Sequence, residues 1–349
     1  MPDQTSKVIV TGGAGYIGSH TVVELFHAGY EPIIIDNFVN AEKSAVKGIE
    51  NILGHKVKLY EGDCGNMDFM RNVIRQEKNV SGIIHFAAYK AVGESVAQPL
   101  KYYRNNIDTL LSLLELMHEQ TISRLVFSSS CTVYGQPDAL PVTEQSPKKP
   151  AESPYGNTKQ ICEEIMEDTV KSGMAIKTVA LRYFNPIGAH ESAEIGELPL
   201  GVPNNLVPFV TQTAAGIREK LTVFGNDYNT HDGTCLRDYI HVVDLAKAHV
   251  SALHYLERKS EKSSYDVFNI GTGKGSTVLD VIKTFEEVNQ VKLNYTIGPR
   301  RPGDVEKVYA EVSQANAALR WKAQLSLADA LKDSWRWQLK LKKKSKQLP

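Results

Sequence analysis

The stretch Val8-Ile-Val-Thr-Gly-Gly-Ala-Gly-Tyr-Ile-Gly-Ser-His20 decides the fold of this 349-residue chain. Val8 to Val10 is a short apolar run that reads as a buried parallel strand, and glycines follow at once at 12, 13, 15 and 18. Helical sequence from Ile17 to Ala28 comes next, with Val22, Val23 and Leu25 on its apolar side. Gly13, Gly15 and Gly18 satisfy G-x-G-x-x-G, and Gly12, Gly15 and Gly18 satisfy the related G-x-x-G-x-x-G. Such a loop turns tightly, lets the backbone approach a pyrophosphate, and aims a helix N-terminus at that anion. Glycines also punctuate plain strand–turn–helix units, so the flanks matter. A second strand, Glu31 to Ile35, ends in Asp36, where a carboxylate would accept ribose hydroxyls. That carboxylate would repel a 2′-phosphate, which favours NAD over NADP.

Working outward, Lys56 to Tyr60 reads as a third strand leading to Asp63-Cys64, and Met67 to Gln76 as a helix. Ser81 to His85 reads as a fourth strand running into Phe86-Ala87-Ala88. Alternating strands and helices specify an α/β, doubly wound parallel sheet of the Rossmann type. Asp63, Phe86 and Ala88 then sit at strand ends where adenine and ribose would lie, although a turn carboxylate explains Asp63 equally well. Helix Leu100 to His118 is apolar on more than one side through Leu110, Leu111, Leu113, Leu114, Leu116 and Met117. A helix apolar on two sides must bury both, against the sheet and against a second subunit. His85 and His118 read as structural.

A fifth strand, Arg124 to Phe127, ends in Ser128-Ser-Ser130, and a Pro-rich loop leads to Tyr155-Gly-Asn-Thr-Lys159 on a helix through Val170. Tyr155 and Lys159 are one turn apart and share a face. Strand Thr178 to Leu181 precedes Arg182-Tyr-Phe-Asn-Pro186, after which Gly, Pro and Asn become frequent. The expected division is therefore a cofactor domain over residues 1–185, rejoined by about 237–265, and a smaller C-terminal α/β substrate domain over 186–349. Asp238 to Leu256 reads as one helix packing back on the first domain. Phe268-Asn-Ile-Gly-Thr-Gly-Lys-Gly275 resembles a phosphate loop but fails G-x-x-x-x-G-K-[ST] and reads as a turn.

Forty basic and forty acidic side chains cancel, leaving no electrostatic footprint for nucleic acid. The basic cluster Lys340 to Lys346 reads as a solvated tail. No apolar run approaches the ~18 residues that span a bilayer, and Met1 to Lys7 lacks the pattern of a signal peptide. Cys64, Cys131, Cys162 and Cys235 form no C-x-x-C pair and no metal spacing, which fits reduced thiols in the cytoplasm and no bound metal.

A tyrosine and a lysine on one helical face, beside a dinucleotide loop, point to proton transfer. The ordinary phenol pKa is about 10, so Tyr155 must be lowered to act as a base near neutrality. A neighbouring ammonium and a charged nicotinamide would both favour the phenolate. Ser130 could hold the substrate oxygen. The pieces describe removal of a hydroxyl proton by Tyr155 with hydride transfer to NAD.

Thr11 to His20, Asp36-Asn37, Ser128 to Ser130, Tyr155-x-x-x-Lys159 and Arg182 to Pro186 together resemble the extended short-chain dehydrogenase/reductase family. His85 to Ser95, Gly201 to Leu206, Phe224 to Tyr228 and Arg237 to His241 resemble, within it, the epimerases acting at C4 of UDP-linked hexoses. The resemblance covers nearly the whole chain. It implies NAD held by Gly12, Gly15, Tyr16, Ile17, Gly18, Asp36, Asn37, Asp63, Cys64, Phe86, Ala87, Lys90, Asn105, Tyr155, Lys159, Tyr183 and Phe184. It implies UDP-galactose and UDP-glucose held by Lys90, Ser130, Tyr155, Asn185, Asn205, Leu206, Phe224, Arg237, Arg301 and Asp304, with Tyr155, Lys159 and Ser130 catalytic. Counting from Arg301-Pro-Gly-Asp304 places Val308 at the family's pocket-gating position. A side chain smaller than tyrosine there implies acceptance of UDP-GlcNAc and UDP-GalNAc. A homodimer is expected, with Leu110, Leu114, Ile161 and Ile165 at its interface. Two other readings compete. Nucleotide-sugar 4,6-dehydratases resemble this chain but carry an Asp-Glu pair where Cys131-Thr132 stand, and an NAD-sensing regulator would tend to lack the Tyr/Lys pair.

Overall fold

The computed structural model describes residues 6–301 and 304–345. Most of the Met1 to Lys7 segment, the Pro-Gly pair of the Arg301 to Asp304 motif, and Lys346 lie outside the described residues. Strands β1 (Lys7–Thr11), β2 (Glu31–Asp36), β3 (Lys58–Glu61), β4 (Val80–His85), β5 (Arg124–Ser130) and β6 (Lys177–Tyr183) alternate with helices. These are α1 (Tyr16–His27), α2 (Lys43–Leu53), α3 (Met67–Gln76), α4 (Val92–Ala97), α5 (Pro99–Glu119) and α6 (Pro154–Lys171). Beyond them come β7 (Asn185–Ile187), α7 (Leu206–Ala214), β8 (Leu221–Phe224), β9 (Leu236–Arg237), β10 (Tyr239–His241), α8 (Val242–Arg258) and β11 (Ser264–Ile270). The chain continues through β12 (Ser276–Thr277), α9 (Val278–Asn289), β13 (Tyr295–Gly298), β14 (Lys307–Val308), α10 (Ser313–Leu319) and α11 (Leu327–Ser345).

The described residues form a seven-stranded sheet in the order β11-β6-β5-β4-β1-β2-β3, with every pairing parallel. Strand order reverses between β1 and β4, and a ligand crevice opens outside the carboxyl ends of strands at such a switch point. Period-two alternation builds two cores. Val8, Val10 and Ile34 pack with α1 and α8 on one face, while Ile9, Ile33 and Ile35 pack with α3, α5 and α6 on the other. The glycine loop, Asp36, Asp63 and Phe86 follow β1, β2, β3 and β4, so they gather along one edge of the sheet. A smaller layer holds the parallel pairs β7–β10 and β8–β13 and the ladder β12-β9-β14. Ile187, Val207, Val223 and Phe285 pack in its core.

Four expectations need correction. Asp238 to Leu256 is not one helix, because Tyr239 to His241 pair with β7 as strand β10. The helix starts at Val242, where the His241 ring caps it by accepting from Val243 N at 3.1 Å. Phe268 to Ile270 are not turn but the end of β11, the seventh strand. The buried polar Asn269 interrupts their apolar pattern, and it is satisfied by Tyr134 Oη donating at 2.6 Å and by its own bond to Val142 O at 2.9 Å. Lys340 to Ser345 belong to α11 rather than a free tail. Lys340 pairs with Glu194, and Lys342 Nζ donates to Ala215 O at 2.5 Å. Finally, Leu110 and Leu114 are buried within the chain against the second core. The outer face of α5 shows Leu100 and Leu111 instead, 81% and 41% exposed, while Ile161 and Ile165 are half-buried.

Candidate active site

Ser153 caps α6, its Oγ accepting from Gly156 N at 3.2 Å, and Pro154 fills the first turn, where no N–H is needed. Tyr155 therefore enters in the first turn and Lys159 one turn later. β5 runs to Ser130, longer than its apolar residues suggest, and carries the serine triplet into the site. Lys159 is almost wholly buried; its Nζ donates to Ser128 O at 2.6 Å and lies 4.7 Å from the Phe127 ring centre. Burial lowers this ammonium to about 8, with Cys162 and Glu163 opposing. Ser130 Oγ accepts from Thr132 N at 3.2 Å and Thr132 Oγ1 at 3.0 Å.

The expected lowering of the Tyr155 phenol is not what the chain provides by itself. Burial raises it to about 12, and the hydrogen bond with Ser130 recovers only part of that rise. Desolvation outweighs one neutral hydroxyl.

Behind this cluster lies a buried ionic network. Glu163, one turn beyond Lys159, takes Arg182 Nε at 2.9 Å and Nη2 at 2.6 Å, Ser129 Oγ at 2.6 Å, and Lys148 Nζ at 2.9 Å. Burial pushes its carboxyl upward, but Arg182 and Lys148 outweigh that and hold it below the usual range. Sequence reading singled out the segments holding Ser129 and Arg182 but not Glu163, which joins them, because no motif contains it.

The glycine loop fits a dinucleotide pyrophosphate. A Cβ on Gly12 would lie 2.9 Å from Ala87 N, and one on Gly18 would lie 2.2 Å from Gly12 O, so the turn tolerates only glycine. Gly15 caps α1 without a side chain, and no acidic residue occupies the first turn, leaving that positive end to an anion. Asp36 Oδ2 accepts from Ala14 N at 3.0 Å and Oδ1 from Phe38 N at 2.9 Å, which ties the β2 carboxylate to the loop. Asn37 Oδ1 accepts from Val39 N, and Asp63 Oδ1 from Gly65 N. Cys64 is buried, which pushes its thiol to about 12. Ile17 packs against the first core, Phe86 lies 4.7 Å from the His249 ring, and Asn105 Nδ2 donates to Asn106 Oδ1. Asn106 itself holds Tyr89 N and O and Thr158 Oγ1, fixing the segment before Lys90 against α6.

Glu197 links the two halves of the cleft. Its Oε1 accepts from Asn205 Nδ2 at 2.6 Å and lies 3.7 Å from Lys90 Nζ. Tyr16 Oη donates to Gly188 O at 2.7 Å across the same gap. Nothing in the loop composition singled out Glu197. Leu206 opens α7 and is half-buried against the small core. Asn185 N donates to Asp238 O, and Arg237 pairs in register with Val308. Val308 packs in one cluster with Phe184, Tyr134 and Cys131, next to Ser130. Phe224 is exposed, with the Arg301 guanidinium 5.5 Å from its ring centre and Arg301 paired to Asp304 at 2.8 Å. His231, Asp232 and Asp280 also lie together at the surface. Asp280 completes the capping box of α9, and Asp232 accepts from Thr234 and Thr277, so the grouping has a structural reason.

Comparison with known proteins follows this geometry. The family model described as GDP-mannose 4,6 dehydratase matches residues 9–334. A UDP-glucose 4-epimerase from Drosophila melanogaster is 48% identical over 337 residues, covering 95% of this chain and 96% of its own length. The structure of UDP-glucose 4-epimerase from Bifidobacterium longum in complex with NAD+ and UDP superposes with a TM-score of 0.91 at 45% identity, covering 96% of this chain and 98% of that one. The enzyme of the same name from Stenotrophomonas maltophila, with bound NAD and formylated UDP-arabinopyranose, reaches 0.94 at 43% identity, covering 97% and 99%.

Proposed function

From the premise that the chain belongs to the UDP-glucose 4-epimerase family within the short-chain dehydrogenase/reductases, we propose the roles of its residues. The protein is an NAD-dependent isomerase that inverts C4 of a UDP-linked hexose through a 4-keto sugar. Cys131-Thr132, where a dehydratase would carry an acid pair, agrees with epimerisation despite the dehydratase name of the family model.

The single observation that carries the assignment of roles is the cluster of Ser130, Tyr155 and Lys159 beside a glycine turn with no room for a Cβ. Tyr155 takes the proton from the sugar 4′-hydroxyl, with Ser130 bonded to the same oxygen. Lys159 holds the cofactor ribose and keeps positive charge near the phenol. NAD held there would supply the hydride acceptor for C4 of the sugar and the hydride donor to the other face of the ketone. Gly12, Gly15, Tyr16, Ile17, Gly18, Asp36, Asn37, Asp63, Cys64, Phe86, Ala87, Lys90, Asn105 and Phe184 hold NAD. Asn185, Asn205, Leu206, Phe224, Arg237, Arg301 and Asp304 hold the UDP-sugar; arginines suit a diphosphate and Phe224 a flat uracil. The working division remains residues 1–185, with 237–265, for cofactor and 186–349 for substrate.

UDP-galactose and UDP-glucose are the main substrates, and UDP-GlcNAc and UDP-GalNAc enter because Val308 leaves room that tyrosine would fill. The protein acts as a homodimer through α5 and α6, and the exposed Leu100 and Leu111 support a partner there. The cytoplasm is its location, on the reading of four free cysteines as reduced thiols. No helix among the described residues is long and apolar enough to cross a membrane. Incubating the purified protein with UDP-galactose tests the activity. UDP-glucose should form without added reductant, and its absence with NAD bound would refute the reading.

A further inference from the structure

Gly271-Thr-Gly-Lys-Gly275 has the composition of an anion-binding loop, and the structure shows what anion its amides meet. Asp238 is fully buried, and its carboxylate receives Thr272 N at 2.8 Å, Thr272 Oγ1 at 2.6 Å, Gly273 N at 3.0 Å and Ala310 N at 3.3 Å. The approach is close enough that a Cβ on Gly271 would lie 2.5 Å from Asp238 Oδ2, and Gly273 adopts φ +74°. Successive backbone N–H groups in a turn make an anion-binding concavity. Here an internal carboxylate fills it rather than a phosphate.

The backbone of the same residue joins three segments of the substrate half. Its carbonyl accepts from Asn185 N at 2.9 Å, and its own N–H donates to Val308 O at 3.2 Å. Arg237 precedes it and pairs with Val308 in the β9–β14 ladder. Hydrogen bonds to a charged acceptor are worth more than neutral ones, and leaving buried N–H groups without a partner is costly. Removing the charge would therefore loosen the turn together with β14 and the segment that follows it to Ala310.

We infer that Asp238 is a positioning residue for the UDP-sugar: it acts as an internal anion that locks the 271–275 turn and so fixes Asn185, Arg237 and Val308 relative to one another. It touches none of the reacting groups. Its removal should weaken substrate binding while leaving proton transfer at Tyr155 intact. This rests on the proposal that those three residues hold the UDP-sugar.

The test uses the NAD-loaded enzyme. Asp238→Asn keeps the shape but replaces one acceptor oxygen by an N–H₂ group that opposes the loop amides. Its KM for UDP-galactose, and the Kd for UDP by calorimetry, should rise by about tenfold or more, the effect of losing one charge-assisted bond. Its kcat should stay within about threefold of wild type, a change too small for a lost acid–base group, and NAD content should not change. Thr272→Val removes the 2.6 Å hydroxyl bond to Asp238, together with the 3.2 Å contacts of the same hydroxyl to Lys274 N and O, and retains the backbone donors to the carboxylate, so it should give a smaller rise of the same kind. It keeps the inference testable if Asp238→Asn does not fold. Unchanged KM and UDP affinity in folded variants would overturn the inference, as would a fall in kcat with KM unchanged. If the wild type bound UDP but did not epimerise, the functional reading would fail while the affinities still decided the role of Asp238.

Discussion

Glu163→Gln tests whether the buried network behind the active site holds the catalytic helix in place. Glu163 is completely buried and Arg182 is 3% exposed, so neither charge can turn to water. Removing one partner of such a pair costs about 3–5 kcal/mol, because the remaining charge stays buried. Three features place this change near the low end. The amide keeps an oxygen for Ser129 or Arg182. Arg182 retains Tyr134 Oη at 2.9 Å and Glu144 O at 3.3 Å. Lys148, with 28% of its side chain exposed, can be solvated. A loss of about 3 kcal/mol, at roughly 2 °C per kcal/mol for a chain of this size, lowers the thermal midpoint by about 6 °C. The companion change Glu163→Leu with Arg182→Met removes both charges and should recover part of that loss.

The pH dependence has a definite sign. A carboxyl held below its unfolded value contributes stability that is complete above the ordinary range near 4.5 and fades as pH falls through the lower folded value. The difference between wild type and Glu163→Gln, read by scanning fluorimetry, should therefore shrink on acidification. A midpoint within about 1 °C of wild type at neutral pH, or a difference that grows in acid, would refute the reasoning.

Tyr155→Phe should lower turnover by about 10²–10⁴-fold, the range for a lost acid–base group, with NAD still bound; near-full activity in the coupled assay would remove Tyr155 as base. Lys159, lowered to about 8, should lose its charge as pH rises through that value, and turnover of the holoenzyme should fall with it; a flat profile from 7 to 9 would contradict this. Over the window from about 8 to the ordinary 10.5 the unfolded chain binds the proton that the folded chain has released, so this group makes stability rise with pH. Wild type should convert UDP-GlcNAc, and Val308→Tyr should lose that activity while keeping UDP-glucose conversion, since a ring cannot be compressed out of a packed wall. Light scattering at micromolar concentration should give a dimer mass, which Leu100→Glu with Leu111→Glu should halve.

The part of the fold legible in sequence was the part built from unbroken periodicity. Val8 to Val10, Glu31 to Ile35 and Met67 to Gln76 carry their apolar pattern from end to end, and their boundaries fall within a residue or so of the strands and helix observed. Elements were hidden wherever polar residues occupy structural positions. β11 was lost because Asn269 sits between Phe268 and Ile270, its amide satisfied by Tyr134 and Val142. β10 was absorbed into the following helix because Tyr239 to His241 fit both periods over so short a span. Leu110 and Leu114 were misplaced for a different reason. A helix-wide apolar count shows that two sides are buried, but it does not show that α3, α6 and the sheet bury both.

The same division runs through the candidate site. Motifs revealed groups whose chemistry requires a residue type at a spacing, such as the glycine loop and Tyr155-x-x-x-Lys159. They contain neither Glu197 nor Glu163, and although Asp238 lies within the Arg237 to His241 segment its role is not legible there, because a carboxylate's role is set by the partners it meets and those come from distant segments. Glu197 meets Asn205 and Lys90, Glu163 meets Arg182 and Lys148, and Asp238 meets the amides of Thr272 and Gly273. The phenol shows the converse error. Spacing placed Tyr155 and Lys159 correctly on one face, yet the sign of the Tyr155 shift depends on how much water burial removes, which no spacing records. On the proposed role of Tyr155 as base, a phenol raised to about 12 by burial needs positive charge nearby to activate it, from the Lys159 ammonium and from a bound nicotinamide. On the role proposed for Asp238, the placement of Arg237 and Asn185 by its buried anion bears on how tightly the UDP-sugar is held and not on the proton transfer itself.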